Sequence, residues 1–145
     1  MRTTAPNRDT RRSPRLLFLF LLCVTAAVAA VTPESTLTEL ASYLGQGDAD
    51  SAISLFDQQP ELANNIAALI DQTEVTCAVE IISDTETNGV HKLDVDWQIT
   101  LKSKADNITV ERRREQVKVE MRQIKGKWKI TSLSPSTILD PIHII

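Results

Sequence analysis

Residues 92–102 read KLDVDWQITLK and decide the fold class. Apolar and polar residues alternate there without a break, and the apolar set is Leu93, Val95, Trp97, Ile99 and Leu101. A strict period of two is typical of a strand with one buried and one solvated face, as in antiparallel sheets. We therefore predict a half-buried antiparallel strand, with Asp94 and Asp96 on its solvated face.

Three further strands are predicted around this one. They lie at residues 75–81, 108–124 and 128–133. The connections carry turn residues, with Asn88-Gly89 in a turn cluster at 84–89, a turn at 105–107 and Lys125-Gly126-Lys127 before the last strand. Short connections between successive strands predict an antiparallel meander of four strands.

Three short amphipathic helices are predicted before the strands. Their apolar stripes are Leu37, Leu40, Ala41 and Leu44, then Ala52, Ile53 and Phe56, then Leu62, Ile66, Leu69 and Ile70. Thr32-Pro33 is typical of a helix start, Gly45 and Gly47 of a helix end, and Asp48 or Asp50 can cap the second helix. Helices and sheet each have one apolar face, so the predicted class is α+β, with three helices packed on a four-stranded antiparallel sheet. The tail after Pro135 has no regular period.

Two segments resemble a known family. The third helix ends in Ala67-Ala68-Leu69-Ile70, and the chain closes on the hairpin Gly126-Lys127-Trp128-Lys129-Ile130-Thr131-Ser132-Leu133. With the long strands between them, they resemble the nuclear-transport-factor-2-like (SnoaL-like) superfamily over nearly all of residues 33–135. We interpret the chain as a small exported bacterial member, and the resemblance implies a curved sheet, cone-shaped around the helices. A cystatin-like single helix on a sheet is the alternative fold, which three separate helical stripes disfavour.

Residues 1–30 have the pattern of a secretory signal peptide. Five arginines precede an apolar run from Leu16 to Ala30, and the run ends in Ala27-Val28-Ala29-Ala30. These small residues predict cleavage after Ala29 or Ala30. The run is shorter than the roughly 20 apolar residues of a membrane-spanning helix, so the mature domain at 31–145 is expected in the periplasm or outside the cell, without stable membrane insertion. The export route stays open.

Removal of the signal peptide makes the chain acidic. The full sequence has 16 basic and 19 acidic residues, and 11 and 18 of them remain after residue 30. Residues 31–74 contain eight acids and neither lysine nor arginine. This charge distribution argues against binding to nucleic acid or to an anionic membrane surface, both of which require clustered positive charge.

One candidate ligand-binding site lies on the longest predicted strand. Val117, Val119 and Met121 define its inward phase, and the same phase extends back to Glu115, Arg113 and Glu111. With Trp97 on the neighbouring strand, these residues form the candidate site. Arg113 would bind a carboxylate or other anion and Glu115 would steady it. The alternative is a bulge near Arg114, or an end that projects into water, which would turn Arg113 away from any pocket.

No catalytic or metal site is predicted elsewhere. His91 lies at a turn-to-strand boundary and His143 in the tail, without metal-ligand spacing, and we interpret both as surface residues. Cys77 is the only cysteine after residue 30, so no internal disulfide can form, and we expect it to be a small buried side chain. The sequence indicates no cofactor.

The resemblance leaves the function open, because this fold hosts enzymes and binding modules alike. The favoured hypothesis is an exported non-catalytic domain that binds a small ligand or a protein partner. One alternative is an isomerase or cyclase that uses the cone cavity, which the lack of an inward acid–base pair argues against. Another is an accessory domain of an envelope assembly, whose acidic helices meet a basic partner. A homodimer through the charged outer face of the sheet is also open.

Overall fold

The computed structural model describes residues 31–142. The predicted signal peptide at 1–30 and His143 lie outside the described residues. Within them, three helices come first: α1 (Pro33–Gln46), α2 (Ala49–Ser54) and α3 (Pro60–Gln72). Four strands follow, β1 (Thr73–Thr87), β2 (Val90–Ser103), β3 (Thr109–Ile124) and β4 (Lys127–Ser134), and then a 3₁₀ helix (Ser136–Leu139).

The helix boundaries follow from local side-chain chemistry. Thr32 and Ser35 form a reciprocal capping box at the start of α1, with N···O distances of 2.9 and 3.1 Å. Gly47 ends α1 with φ of 73°, a left-handed conformation that favours glycine. Asp48, rather than Asp50, caps α2 by accepting a hydrogen bond from the Ser51 N–H. The three predicted helices are confirmed.

The sheet is a curved antiparallel meander in the order β1-β2-β3-β4. Each pair of strands contains one register shift, and the extra residues are Ile82 in β1, Val110 in β3 and Thr131 in β4. Such bulges bend a strand and increase its twist, which helps the sheet to curve around the helices. The predicted α+β class, with three helices on a four-stranded antiparallel sheet, is therefore confirmed.

The core lies between the concave face of the sheet and the helices. All five apolar residues of 92–102 are buried, and so are the predicted stripe residues of α1 and α3, with Ala41 partly exposed. The inward side chains of β3 that join them are Val117, Val119 and Met121. Among residues 31–142, no helix is both long and apolar enough to cross a membrane.

The structure corrects three local predictions. Residues 84–87 belong to β1, so the turn is only Asn88-Gly89, because both of these residues take positive φ and close a two-residue hairpin. Phe56 lies beyond the end of α2 and forms an isolated parallel bridge with Ile130. The tail is ordered into a 3₁₀ helix that buries Ile138 and Leu139, two adjacent residues that no periodic pattern marks.

Candidate functional site

The register between β2 and β3 decides which way the candidate residues face. Pairing runs without a shift from Met121 to Glu111 of β3, and the shift comes only at Val110. Arg113 therefore pairs with buried Ile99, and Glu115 pairs with buried Trp97. Since paired residues of an antiparallel sheet share a face, the inward phase predicted for Glu111, Arg113 and Glu115 is present. No bulge near Arg114 interrupts it.

Arg113 connects the sheet to the C-terminal tail. Its Nη1 donates to the backbone carbonyl oxygens of Ile138 and Asp140, at 3.1 and 2.5 Å. Its Nε donates to Oε2 of Glu111 at 2.6 Å. The side chain is only 13% exposed, against 42% for Glu111. Most of its N–H donors therefore already have acceptors within the chain, and a ligand anion would compete with them.

A cleft of about 440 Å³ lies next to this connection. Its lining includes Glu111, Arg113 and Glu115 on the sheet side and Ile138 and Asp140 on the tail side. Three of the four candidate residues thus line one cleft, and Glu115 is exposed in it. The arrangement can present both charge signs to a polar ligand, although the guanidinium of Arg113 points at the tail carbonyls.

Trp97, the fourth candidate, is not part of the cleft lining. Its side chain is 0% exposed, and its indole N–H donates to Sγ of Cys77 at 2.9 Å. Burial raises the pKa of the Cys77 thiol to about 12, against a smaller opposing effect of the Trp97 hydrogen bond. Trp97 therefore belongs to the core and is a hydrogen-bond partner of Cys77. The Cys77 side chain is partly buried, whereas the sequence predicted a buried one.

The two aspartates of β2 lie on the outer face, as predicted. Arg114 donates to both carboxylate oxygens of Asp96, at 3.2 and 2.8 Å, and these hydrogen bonds lower the pKa of Asp96. Asp94 accepts a hydrogen bond from the hydroxyl of Ser83 at 2.9 Å. The two carboxylates thus have separate partners and do not form an acid–base pair.

One pair of polar residues on the concave side was not predicted from the sequence. Nδ1 of His91 lies 2.9 Å from Oδ1 of Asp84, both side chains are 21% exposed, and the ring of Trp128 stands edge-on to the imidazole at 4.9 Å. The strand register places Asp84 and His91 on the inward face, opposite Leu93 and Met121 respectively. The sequence signal for this pair is the hairpin register set by the Asn88-Gly89 turn. The predicted strand ended at residue 81, short of that turn, and therefore did not include Asp84.

A metal site is not indicated by the described part of the chain. Within residues 31–142, no three side chains of the His, Cys, Asp and Glu types converge as metal ligands would. Asp84 and His91 alone supply two donor groups, fewer than the three or four protein ligands of zinc sites.

Comparisons with known proteins identify the architecture. No protein-family model matches the sequence, and no curated protein is significantly similar to it. A conserved protein from Planctomyces limnophilus has a similar structure, with a TM-score of 0.61 at 7% identity over 68% of this chain and 87% of that one. A variant of the nuclear-transport-factor-2-like design Rd1NTF2_05 gives 0.51 at 14% identity, over 69% and 92%.

A third solved structure is a protein of unknown function with a cystatin-like fold from Nostoc punctiforme. It gives a TM-score of 0.51 at 14% identity, over 69% of this chain and 84% of that one. At these identities the likeness concerns the fold alone. The curved four-stranded meander, the three preceding helices and these structural relatives together establish that the protein has a nuclear-transport-factor-2-like fold.

Proposed function

We propose that the protein is an exported, non-catalytic domain that binds a protein partner with its outer surface. The observation that carries the proposal is the filling of the cone. Its central side chains Trp97, Ile99 and Leu101 are at most 1% exposed, and Ile138 and Leu139 pack into the same core from the tail. A ligand could enter the interior of the cone only by displacing buried apolar groups, at a cost of about 25 cal/mol for each Å² of apolar surface exposed.

Surface charge supports the same proposal. The eight acids of residues 31–74 make no ion pair within the described chain, whose ion pairs all lie in the strand region. The exposed members of this set are Glu34, Glu39, Asp50, Glu61, Asp71 and Glu74. Exposed acidic side chains without ion pairs steer an oppositely charged partner toward the domain, and they weaken binding of the domain to acidic surfaces.

The test is site-directed photo-crosslinking of the protein in its own cells. A photo-reactive amino acid is placed at Ala78 in β1, at Glu39 in α1 or at Gln116 on the outer sheet face, all of which are exposed. We expect a crosslinked protein of one reproducible mass from one of these surfaces. Native mass spectrometry of the isolated protein should give the polypeptide mass alone. A small molecule that stays bound under native conditions and leaves on denaturation, without crosslinks at any position, would contradict the proposal.

A proton-transfer enzyme of the isomerase or cyclase kind is the second candidate, and the Asp84–His91 pair favours it. A histidine whose Nδ1 is held by a carboxylate keeps Nε2 to accept or donate a proton. The test adds the small-molecule fraction of the cell envelope and follows the imidazole signals of His91 by NMR. A change in the His91 signals on addition of this fraction, absent from the Asp84→Asn variant, would support the enzyme hypothesis. Unchanged His91 signals in the unaltered protein would contradict it.

A further inference from the structure

The two edges of the sheet differ in how they are covered. At β4, the N–H of Ile130 donates to the carbonyl oxygen of Leu55 at 2.8 Å, and its carbonyl oxygen accepts from the N–H of Asp57 at 2.9 Å. The side-chain amide of Gln59 donates to the same carbonyl oxygen. The segment between α2 and α3 therefore occupies the β4 edge.

The β1 edge has no such hydrogen-bonded cover among the described residues, although the C-terminal end of α1 packs beside its first residues, with Gly45 close to the backbone carbonyl oxygen of Val75. After Thr73, whose N–H and hydroxyl both donate to Leu69, the backbone of β1 is hydrogen-bonded to β2 and to no other part of residues 31–142. Half of the N–H and C=O groups of an edge strand point away from its only neighbour. Residues 73–87 also contain no proline and no lysine, which commonly protect an edge, and the protective bulge at Ile82 comes only after the regular run 73–81.

The side chains along this edge form two rows of different chemistry. Cys77, Val79 and Ile81 face the core side but remain partly exposed, in contrast to the buried residues opposite them in β2. The other row faces outward and carries Glu74 and Glu80. A segment that completes the sheet here needs apolar side chains on one face and basic side chains on the other.

A second copy of this chain does not meet that requirement. Antiparallel pairing of two β1 strands overlaps best along the regular run before the bulge, residues 73–81, with Cys77 at the centre. Glu74 of one copy would then lie directly opposite Glu80 of the other, twice in the pair. Like charges directly opposite each other in a sheet are destabilising, and a mature chain with 18 acids and 11 bases adds long-range repulsion.

We propose that β1 is the docking edge for an extended segment of a partner protein, in which apolar and basic residues alternate and which adds as a fifth strand along residues 74–82. The partner's apolar side chains cover Cys77, Val79 and Ile81, and its basic side chains lie against Glu74 and Glu80. The inference rests on the proposed function and names the surface and the kind of partner. Backbone hydrogen bonds supply the affinity in such strand addition, and alternate side chains supply the selectivity.

The test uses the protein as isolated from its cells and three synthetic peptides of equal length. One alternates lysine and valine, one alternates glutamate and valine, and one is the lysine peptide with alternate amides N-methylated. We expect the lysine peptide to bind, with amide NMR shifts concentrated in residues 74–82, and the other two to bind at least ten-fold more weakly. Higher salt concentration should weaken binding of the lysine peptide, because its ionic contacts with Glu74 and Glu80 are exposed to solvent and therefore screened.

Charge reversal provides the matched control. Glu80→Lys should lower the affinity for the lysine peptide about five-fold, as expected for an exposed ion pair replaced by repulsion. The same change should raise the affinity for the glutamate peptide. Glu39→Lys makes the same change of net charge on α1 and should leave both affinities unchanged.

Equal affinity for the N-methylated peptide, equal effects of the two variants, or NMR shifts on another surface would overturn the inference. So would a dimer in sedimentation experiments that is dissolved by Ile82→Lys, a change at the exposed bulge residue of β1. Crosslinks to a partner from another surface, with Ala78 silent, would leave the proposed function standing and remove only the β1 edge. A complete lack of protein crosslinks would remove both.

Discussion

Arg114 and Asp96 illustrate how single residues are used on the outer face of the sheet. The fork of the guanidinium binds both oxygens of one carboxylate across two neighbouring strands. This geometry links β2 to β3 beyond their backbone hydrogen bonds, and it occupies an arginine that would otherwise be available to an anion. The contact agrees with a structural role for Asp96.

The pair predicts a measurable response to acid. The hydrogen bonds from Arg114 lower the pKa of Asp96 in the folded state below its ordinary value of 3.8. A lowered folded-state pKa adds stability at pH values above the unfolded-state pKa, and that stability is lost as the pH falls through the folded-state pKa. Asp96→Asn should therefore lower the free energy of unfolding at neutral pH and reduce its decrease on acidification below about pH 4, measured by urea denaturation across a pH series.

Asp94→Asn is the control for this measurement. Asp94 lies two positions away on the same face and is bonded to the Ser83 hydroxyl instead of an arginine. Its replacement should leave most of the acid dependence in place. Equal flattening in the two variants would show that the Arg114 contact does not produce the effect.

Among the elements, the C-terminal tail is the one whose contribution to the core is least evident from its sequence. Arg113 holds the carbonyls of Ile138 and Asp140, and the N–H of Ile142 donates to Oε1 of Gln72 at 2.9 Å. These bonds hold the 3₁₀ helix against β3 and α3, with two apolar side chains of that helix buried beneath it. The contacts of Arg113 thus support the tail, and ligand binding by the same residue stays a prediction.

Replacement of Arg113 tests this role. Arg113→Ala removes charged hydrogen bonds to two carbonyls of the tail and should lower the free energy of unfolding by about 2–3 kcal/mol. Hydrogen exchange of the Ile142 amide should also become faster, because the tail opens more often. Denaturant unfolding and native-state exchange are the two measurements.

Arg112→Ala is the matched control, since Arg112 is exposed and lies one position away on the opposite face. Its effect on the free energy of unfolding should stay within about 0.5 kcal/mol, the usual range for surface substitutions. If the two variants behave alike, the tail does not depend on Arg113. Addition of acetate or a longer carboxylate to both variants would test the predicted anion binding in the same samples.

The strands and helices could be predicted because their apolar residues recur with the period of the element. The inward phase of β3 extends far enough to orient Arg113, which is why three candidate residues lie in one cleft. The tail lacked such a signal, since its buried pair Ile138–Leu139 is adjacent in sequence. The position of the Asp84–His91 pair depends on the strand register across a turn. The tail acceptors of Arg113 lie 25 and 27 positions away in the sequence, so no local pattern indicates them.

At the scale of the whole molecule, the uneven distribution of charge along the sequence is the feature that matters most. Five arginines and one acid lie in residues 1–30, whereas residues 31–74 contain eight acids and no lysine or arginine. A basic flank before an apolar run is typical of an export signal, and a strongly acidic domain selects basic partners. We infer that the two charge patterns serve export and binding separately.

This inference predicts processing of the chain at a defined bond. The isolated protein should begin at Ala30 or Val31 and be found in the periplasm or the medium, as determined by intact-mass measurement after cell fractionation.

Cleavage requires small residues at the −3 and −1 positions. The triple variant Ala27→Leu, Ala29→Leu and Ala30→Leu removes the small residues from both predicted sites, so the full chain should remain associated with the membrane fraction. The matched control is a conservative change in the same segment, Thr25→Ser, which leaves those small residues in place and should be processed normally. Full-length protein in the cytosol for the unaltered chain would refute export.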